Sequence, residues 1–265
     1  MDLISAAQDG HRLLYHYQSF NERTADRLER TLRDRTVYMS KPSAFNDPWD
    51  CKPWFEPSVF DDPNERRQYL QWLQRTAQVH PEEAQAMLAD PHLMAAAFES
   101  IHLGHVRAIA ETYRVYCLLP EADNLLLWAH YADSHKGIAL EFDARHLQIQ
   151  WAYRVHYLDT YPPVHMYEED RNADLVPFFT KARVWEYEHE YRMLAEERQR
   201  PQPNMLETQD SMLRLETGAL VGVVIGCQCD EEHALDIIDR HGPDLRVRRA
   251  KRLADRYALT LETIR

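Results

Sequence analysis

LLYHYQSFNERTADRLERTLRDRTVYMS, residues 13–40, decides the fold class. Leu13–Tyr17 is short and rich in aromatic rings, which suits a strand. Asn21 can cap a helix from about Glu22 to Arg33, with Ala25, Leu28 and Leu32 on one face. Thr36–Ser40 is β-prone and is expected to pair with the first strand. Strand, helix and strand in one stretch set up an α+β protein.

The chain outward from this stretch keeps that pattern. A loop with Pro42, Pro48 and Pro53 follows. Residues 62–112 read as an all-helical insert. Asp62-Pro63, His80-Pro81 and Asp90-Pro91 each place Pro at a first helical position, where its missing N–H costs nothing. In the last of these helices Leu93, Met94, Ala97, Phe98 and Ile101 make an apolar stripe. Strands return at Val115–Leu119, Lys136–Asp143, Arg154–Tyr157 and Glu190–Leu194, with a short helix from Asp123 to about Ser134. Ala219–Cys227 is fully apolar, so it should lie centrally in its sheet. Asp230–His241 is a helix, and Leu245–Arg252 with Tyr257–Ile264 alternates as a closing hairpin. The expectation is a mixed, mostly antiparallel sheet in one domain over residues 1–265, interrupted by the helical insert.

Composition narrows the partners. Lys and Arg number 31 against 43 Asp and Glu, a formal net charge of −12 in 265 residues. Non-specific phosphate binding needs a positive field, so a general nucleic-acid coat is excluded; one local basic site is not. The longest uncharged apolar run falls far short of the roughly 20 residues that span a bilayer. No membrane span is expected, and the first residues carry no secretory pattern. Cys51, Cys117, Cys227 and Cys229 form no CxxC pair, so reduced thiols and a cytoplasmic location are expected. The 7 glycines make no GxGxxG, GxxxxGK[ST] or GxSxG, which removes the Rossmann fingerprint, the P-loop and the nucleophile elbow.

Three clusters could carry chemistry. In Phe45-Asn46-Asp47-Pro48-Trp49-Asp50, Asn46 and Asp47 are turn formers. In a functional role, Asp47 and Asp50 would present carboxylates beside two rings suited to stacking on a planar ligand. In Leu125–Asp133 the leucines are core anchors. Trp128, His130 and Tyr131 cannot all point inward on one turn; Trp128 reads as core and Tyr131 as the pocket residue. In Lys181–Arg192, Glu190 and Arg192 share one strand face. On a solvated face their ion pair is worth under ~1 kcal/mol; in a cleft the carboxylate could stabilise developing positive charge. The 14 histidines, His102/His105 and His130/His135 among them, form no HExxH, and no metal is expected. The basic stretch Arg246–Arg252 reads as an exposed strand face with an acidic neighbour.

LYHYxxF with VYMSxPxxFNDPWD, LLLWAHYADxHKGIALEFD, and KxxxWxYExEYR with GVVIGC together resemble the bacterial domain-of-unknown-function family 2971. That resemblance spreads over nearly the whole chain and implies no reaction. The order of a strand with LYHY, a capped helix, a strand with VYMS and a distant strand with Glu also resembles the ADP-ribosyltransferases, which use His, Tyr and Glu in that order. It implies a split sheet and NAD as substrate. His16 would hold the dinucleotide, Tyr131 or Tyr38 would stack on nicotinamide, and Glu190 (Glu188 next) would stabilise oxocarbenium character at the ribose. Tyr17, Tyr38, Asn46, Asp47, Trp128 and Arg192 would complete the NAD site. The acceptor, protein or nucleic acid, is left open, and a toxin or anti-phage role is implied. The chain departs from those enzymes in lacking a Gly after the His, an STS motif and a clear Glu-x-Glu loop. Two other readings stay open: a sensor that binds a nucleotide or phage component without turnover, and a hydrolase with metal on Asp47, Asp50, Glu188 and Glu190.

Overall fold

The opening stretch folds as a strand, a helix and a short strand: β1 (Leu13–Gln18), α1 (Ala25–Asp34) and β2 (Thr36–Tyr38). The computed structural model describes residues 2–54, 61–76, 79–162, 173–198 and 206–265. The helical insert is α2 (Pro63–Thr76), α3 (Pro81–Ala89) and α4 (Pro91–Thr112), each opening on its proline. There follow β3 (Tyr113–Leu118), α5 (Leu125–Tyr131), β4 (Ile138–Asp143), β5 (Tyr153–Arg154), β6 (His156–Leu158), β7 (Thr180–Ala182) and β8 (Tyr191–Glu197). The chain closes with β9 (Leu206–Thr208), β10 (Met212–Arg214), β11 (Leu220–Ile225), α6 (Glu231–His241), β12 (Arg246–Arg252) and β13 (Leu259–Thr263).

A five-stranded sheet runs β1-β4-β11-β12-β13, and a second sheet runs β3-β8-β5 with β9 beside β8. Antiparallel pairing dominates; β11–β12, β6–β7 and β8–β9 run parallel. The fully apolar β11 is the middle strand, and α6 crosses over from it to β12, as a parallel pair requires. β1 and β3 belong to different sheets and are tied by an isolated bridge between Tyr15 and Leu119.

The first two strands do not pair with each other. β1 runs against β4 with His16 opposite Leu140, and β2 runs against β10 with Tyr38 opposite Met212. The reason is coverage: β1 and β4 each have 6 residues, whereas β2 has 3. The helix also starts later than the cap reading predicts. Asn21 Oδ1 accepts from the Arg23 amide at 3.0 Å, and Thr24 Oγ1 accepts from the Asn21 amide at 3.0 Å, closing turns before Ala25. The helix expected to reach Ser134 ends at Tyr131, because Asp133, Ser134 and His135 all take left-handed backbone (φ 47, 55 and 70°). The strand expected over Arg154–Tyr157 is broken at Val155, whose amide donates to the Glu190 carbonyl at 2.9 Å; its halves join β8 and β7. In α4, Met94 is buried but Leu93 is 49% exposed, so the expected stripe is not one face; the side chains of Phe98 and Ile101 lie outside the described residues.

The largest core lies between the two sheets under α1 and α6, built on Leu14, Leu28, Tyr116, Phe142, Met193 and Ile238. A second fills the space between α5 and the far face of the five-stranded sheet, with Tyr15, Tyr17, Leu127 and Trp128. A third, with Cys51, Val115, Phe178 and Leu194, covers the other face of β3 and β8. Among the described residues no helix is long and apolar enough to cross a membrane.

Candidate functional site

Two places collect the polar side chains. The first is a cleft of about 420 Å³ lined by His16, Tyr17 and Gln18 of β1, Arg27 of α1, Tyr38 of β2 and Tyr116 of β3. His16 and Tyr116 stack with ring centres 4.1 Å apart. His16 Nδ1 lies 2.8 Å from the Cys117 carbonyl oxygen. A carbonyl can only accept, so Nδ1 carries the proton and Nε2 is a bare acceptor. Burial lowers the imidazole pKa to about 4, so the ring is neutral at pH 7. The Tyr116 hydroxyl and Gln18 Nε2 are buried with no hydrogen-bond partner among the described residues. An unmet buried polar group costs about 1–3 kcal/mol, so both are placed to gain from a guest. At the rim Tyr38 is 54% exposed, and Arg27 makes no ion pair among the described residues.

The second place is a buried ionic cluster at the start of β8. Arg192 is fully buried and bonds two carboxylates at once. Its Nε and Nη2 reach Glu190 at 2.8 and 2.9 Å, and its Nη1 and Nη2 reach Asp50 at 2.7 Å each. Paired contacts of this kind suit the planar guanidinium. Lys181 Nζ donates to Glu188 at 2.5 Å and Glu190 at 3.1 Å, and the Tyr131 hydroxyl donates to Glu188 at 2.5 Å. Burial opposes charge on Glu190, but Arg192 and Lys181 outweigh it and hold the carboxyl far below the usual range. Glu188 shifts the other way: burial first, then the charge of Glu190, raises its pKa against Lys181 and Tyr131. Three carboxylates, Asp50, Glu188 and Glu190, share two cations here. Asp47 flanks the cluster, accepting from the Trp49 amide and the Trp185 indole. A smaller cleft of about 230 Å³, lined by Asp47, Trp49, Tyr161 and Lys181, opens beside it.

Cys117 joins the two places. Its carbonyl holds His16, while its thiol donates to Glu190. Cys117 sits opposite Arg192 in the β3–β8 register and Tyr116 sits opposite Met193; since successive strand residues face opposite ways, the cleft and the cluster lie on opposite faces of β3.

No family model, curated protein or solved structure matches this chain.

The site residues read from the sequence therefore divide. His16, Tyr17 and Tyr38 line the cleft. Asp47, Tyr131, Glu190 and Arg192 belong to the ionic cluster. Asn46 is exposed on the loop beside Asp47. Trp128 is 0% exposed and its indole N–H donates to the Ala122 carbonyl at 2.8 Å, so it is a core residue. The Tyr17 hydroxyl is spent on the Glu121 carbonyl at 2.6 Å. Asp50, Glu188 and Glu190 are held by Arg192 and Lys181 rather than turned to one shared point, and among the described residues no group of three His, Cys, Asp or Glu side chains is placed for a metal ion. The basic strand β12 pairs with acids, but only in part on an exposed face with an acidic neighbouring strand: Arg249 bonds Glu262 of the adjacent β13 and Glu231 of α6, whereas Arg246 and Arg248 bond the buried Glu141 of β4, two strands away. Sequence reasoning missed Gln18, Arg27, Tyr116 and Lys181. Lys181 opens the KxxxWxYExEYR block and could have been read with it. Gln18, Arg27 and Tyr116 carry no pattern of their own.

Proposed function

We propose that the protein binds a nucleotide of the NAD type in the cleft between β1, α1, β2 and β3. The observation that carries this reading is the pair of unsatisfied buried groups, Tyr116 Oη and Gln18 Nε2, beside the neutral His16 in a cleft of about 420 Å³. Cavities of about 300–1,000 Å³ with a few convergent polar groups are typical ligand sites. NAD comes from the likeness of the LYHY and VYMS strands to ADP-ribosyltransferases. Binding without turnover is favoured over catalysis at Glu190. Stabilising an oxocarbenium ion needs a carboxylate with a face free for the ribose. The Glu190 carboxylate is 2% exposed and takes hydrogen bonds from Arg192, Lys181 and Cys117.

One observation supports turnover as a second reading: Glu188 has a raised proton affinity and a short contact to Tyr131, the arrangement a general acid uses. Thermal unfolding and a proton NMR time course with NAD separate the two. Stabilisation by NAD with no free nicotinamide is the expected result. Nicotinamide release that is lost in Glu188→Gln or Glu190→Gln would replace the binding reading by an ADP-ribosyltransferase one. Absence of any NAD effect on unfolding overturns both.

A further inference from the structure

The chain is strongly acidic, yet the mouth of the cleft is not. Arg27 and Arg30 of α1 both line it. Arg30 is neutralised by Asp26 at 2.9 Å, while Arg27 is exposed and has no acidic partner among the described residues. A guanidinium left unpaired at the rim, with acids interleaved along the same helix (Asp26, Glu29), is one local positive point in a chain of net charge −12. Deeper in, the polar atoms form a different pattern. Gln18 Nε2 can only donate, and the Tyr116 hydroxyl is a second donor. His16 Nε2, set as an acceptor by the Cys117 carbonyl on Nδ1, asks for a donor. Two donors and one acceptor inside, an exposed tyrosine ring at the side and a lone guanidinium at the mouth make a sequence of environments. It matches a heterocyclic base, then a sugar, then a phosphate.

On the nucleotide reading above, we infer that the cleft selects 5′-phosphorylated nucleosides, the base edge meeting Gln18 and Tyr116 and the phosphate held by Arg27. The phosphate is the discriminating group. A charge-assisted bond to a phosphate oxygen is roughly twice as strong as a neutral one, so its loss reads as about tenfold or more in affinity. An unphosphorylated nucleoside offers Arg27 nothing. Tyr38 supplies ring area for either ligand and so does not discriminate.

The test is titration calorimetry of the whole chain with AMP, NAD, adenosine and inorganic phosphate. AMP and NAD bind, and adenosine is weaker by about tenfold or more. Arg27→Ala reduces AMP to the adenosine level and leaves adenosine unchanged. Tyr116→Phe, which keeps the stacked ring, weakens AMP and adenosine by the same factor. AMP affinity also falls with added salt, and the salt dependence shrinks in Arg27→Ala. Equal binding of AMP and adenosine, or an Arg27→Ala protein that binds AMP as the parent does, overturns the phosphate assignment while the nucleotide reading stands. Binding of inorganic phosphate as tight as AMP overturns the base assignment. A folded protein that binds none of the four removes both.

Discussion

Arg192 is the residue on which the acid cluster depends. Its guanidinium also donates to the Phe178 carbonyl at 2.9 Å and lies 5.4 Å from the Phe45 ring. Removing one partner of a buried ion network leaves the others charged and unpaired, a loss of about 3–5 kcal/mol. Arg192→Met therefore destabilises by that amount in urea unfolding; a loss under about 1 kcal/mol would mean the cluster is solvated. His16 gives a prediction that depends on pH. Its folded pKa is about 4 against an ordinary 6.5. Above pH 6.5 both folded and unfolded rings are neutral, so pH has no effect through this group. Between pH 6.5 and 4 the unfolded chain binds a proton that the folded one refuses. Stability then falls by about 3 kcal/mol on reaching pH 4. Unfolding curves at those two pH values check it, and the drop is smaller by that amount in His16→Gln. Glu190 acts in the same direction in a lower window: its depressed pKa adds stability that is present above the usual carboxylate range and is lost as the pH falls below it.

Elements show why part of the fold was legible. The β12–β13 hairpin and the central β11 follow from residue period alone, and α6 is capped as its first residues imply, with Asp230 Oδ1 accepting from the His233 amide at 3.2 Å. What failed was pairing. The partner of β2 is β10, with Tyr38 opposite Met212, and no local pattern reports a neighbour so distant in sequence. The left-handed run Asp133–His135 was equally hidden, because none of the three is glycine. The glycine that closes that turn is readable in hindsight. A Cβ on Gly137 would lie 2.1 Å from the Gln18 carbonyl oxygen and 2.9 Å from Ala132 Cα. Gly137→Ala thus forces β1 away from the turn after α5, costing about 1–3 kcal/mol as overpacking does. Because Gln18 lines the cleft, the same substitution weakens the proposed NAD binding, whereas Asp230→Ala, at a residue outside the cleft lining, costs about 1 kcal/mol and leaves that binding alone. Thermal unfolding read beside NAD titration separates the two variants.

The whole molecule has a body and an attachment. Tyr69, Leu70, Leu73, Ala84 and Met94 of the insert form a small core of their own. The connection to the body runs through the end of α4: Ile109 joins the core behind β3, Glu111 pairs with Lys41 at 3.0 Å, and the Arg114 guanidinium takes the Glu111 carbonyl at 3.0 Å. At this scale the candidate site was half legible. The FNDPWD, WAHYAD and KxxxWxYExEYR blocks do converge, but on a buried cluster, because the carboxylates and cations that look reactive in sequence satisfy one another in space. The cleft is formed instead by β1, α1, β2 and β3, and its polar atoms on β1 and β3 stand out only once burial shows them unpaired. A small separate core opens at lower free energy than a large one. Amide hydrogen exchange of the free protein should therefore be faster in α2 and α3 than in β4 and β11. With NAD added, protection should rise in β1 and α1 and stay unchanged in α2 and α3. Protection that instead appears across the insert would mean that the insert closes over the ligand, and the cleft would then have to be redrawn with α4 as one of its walls.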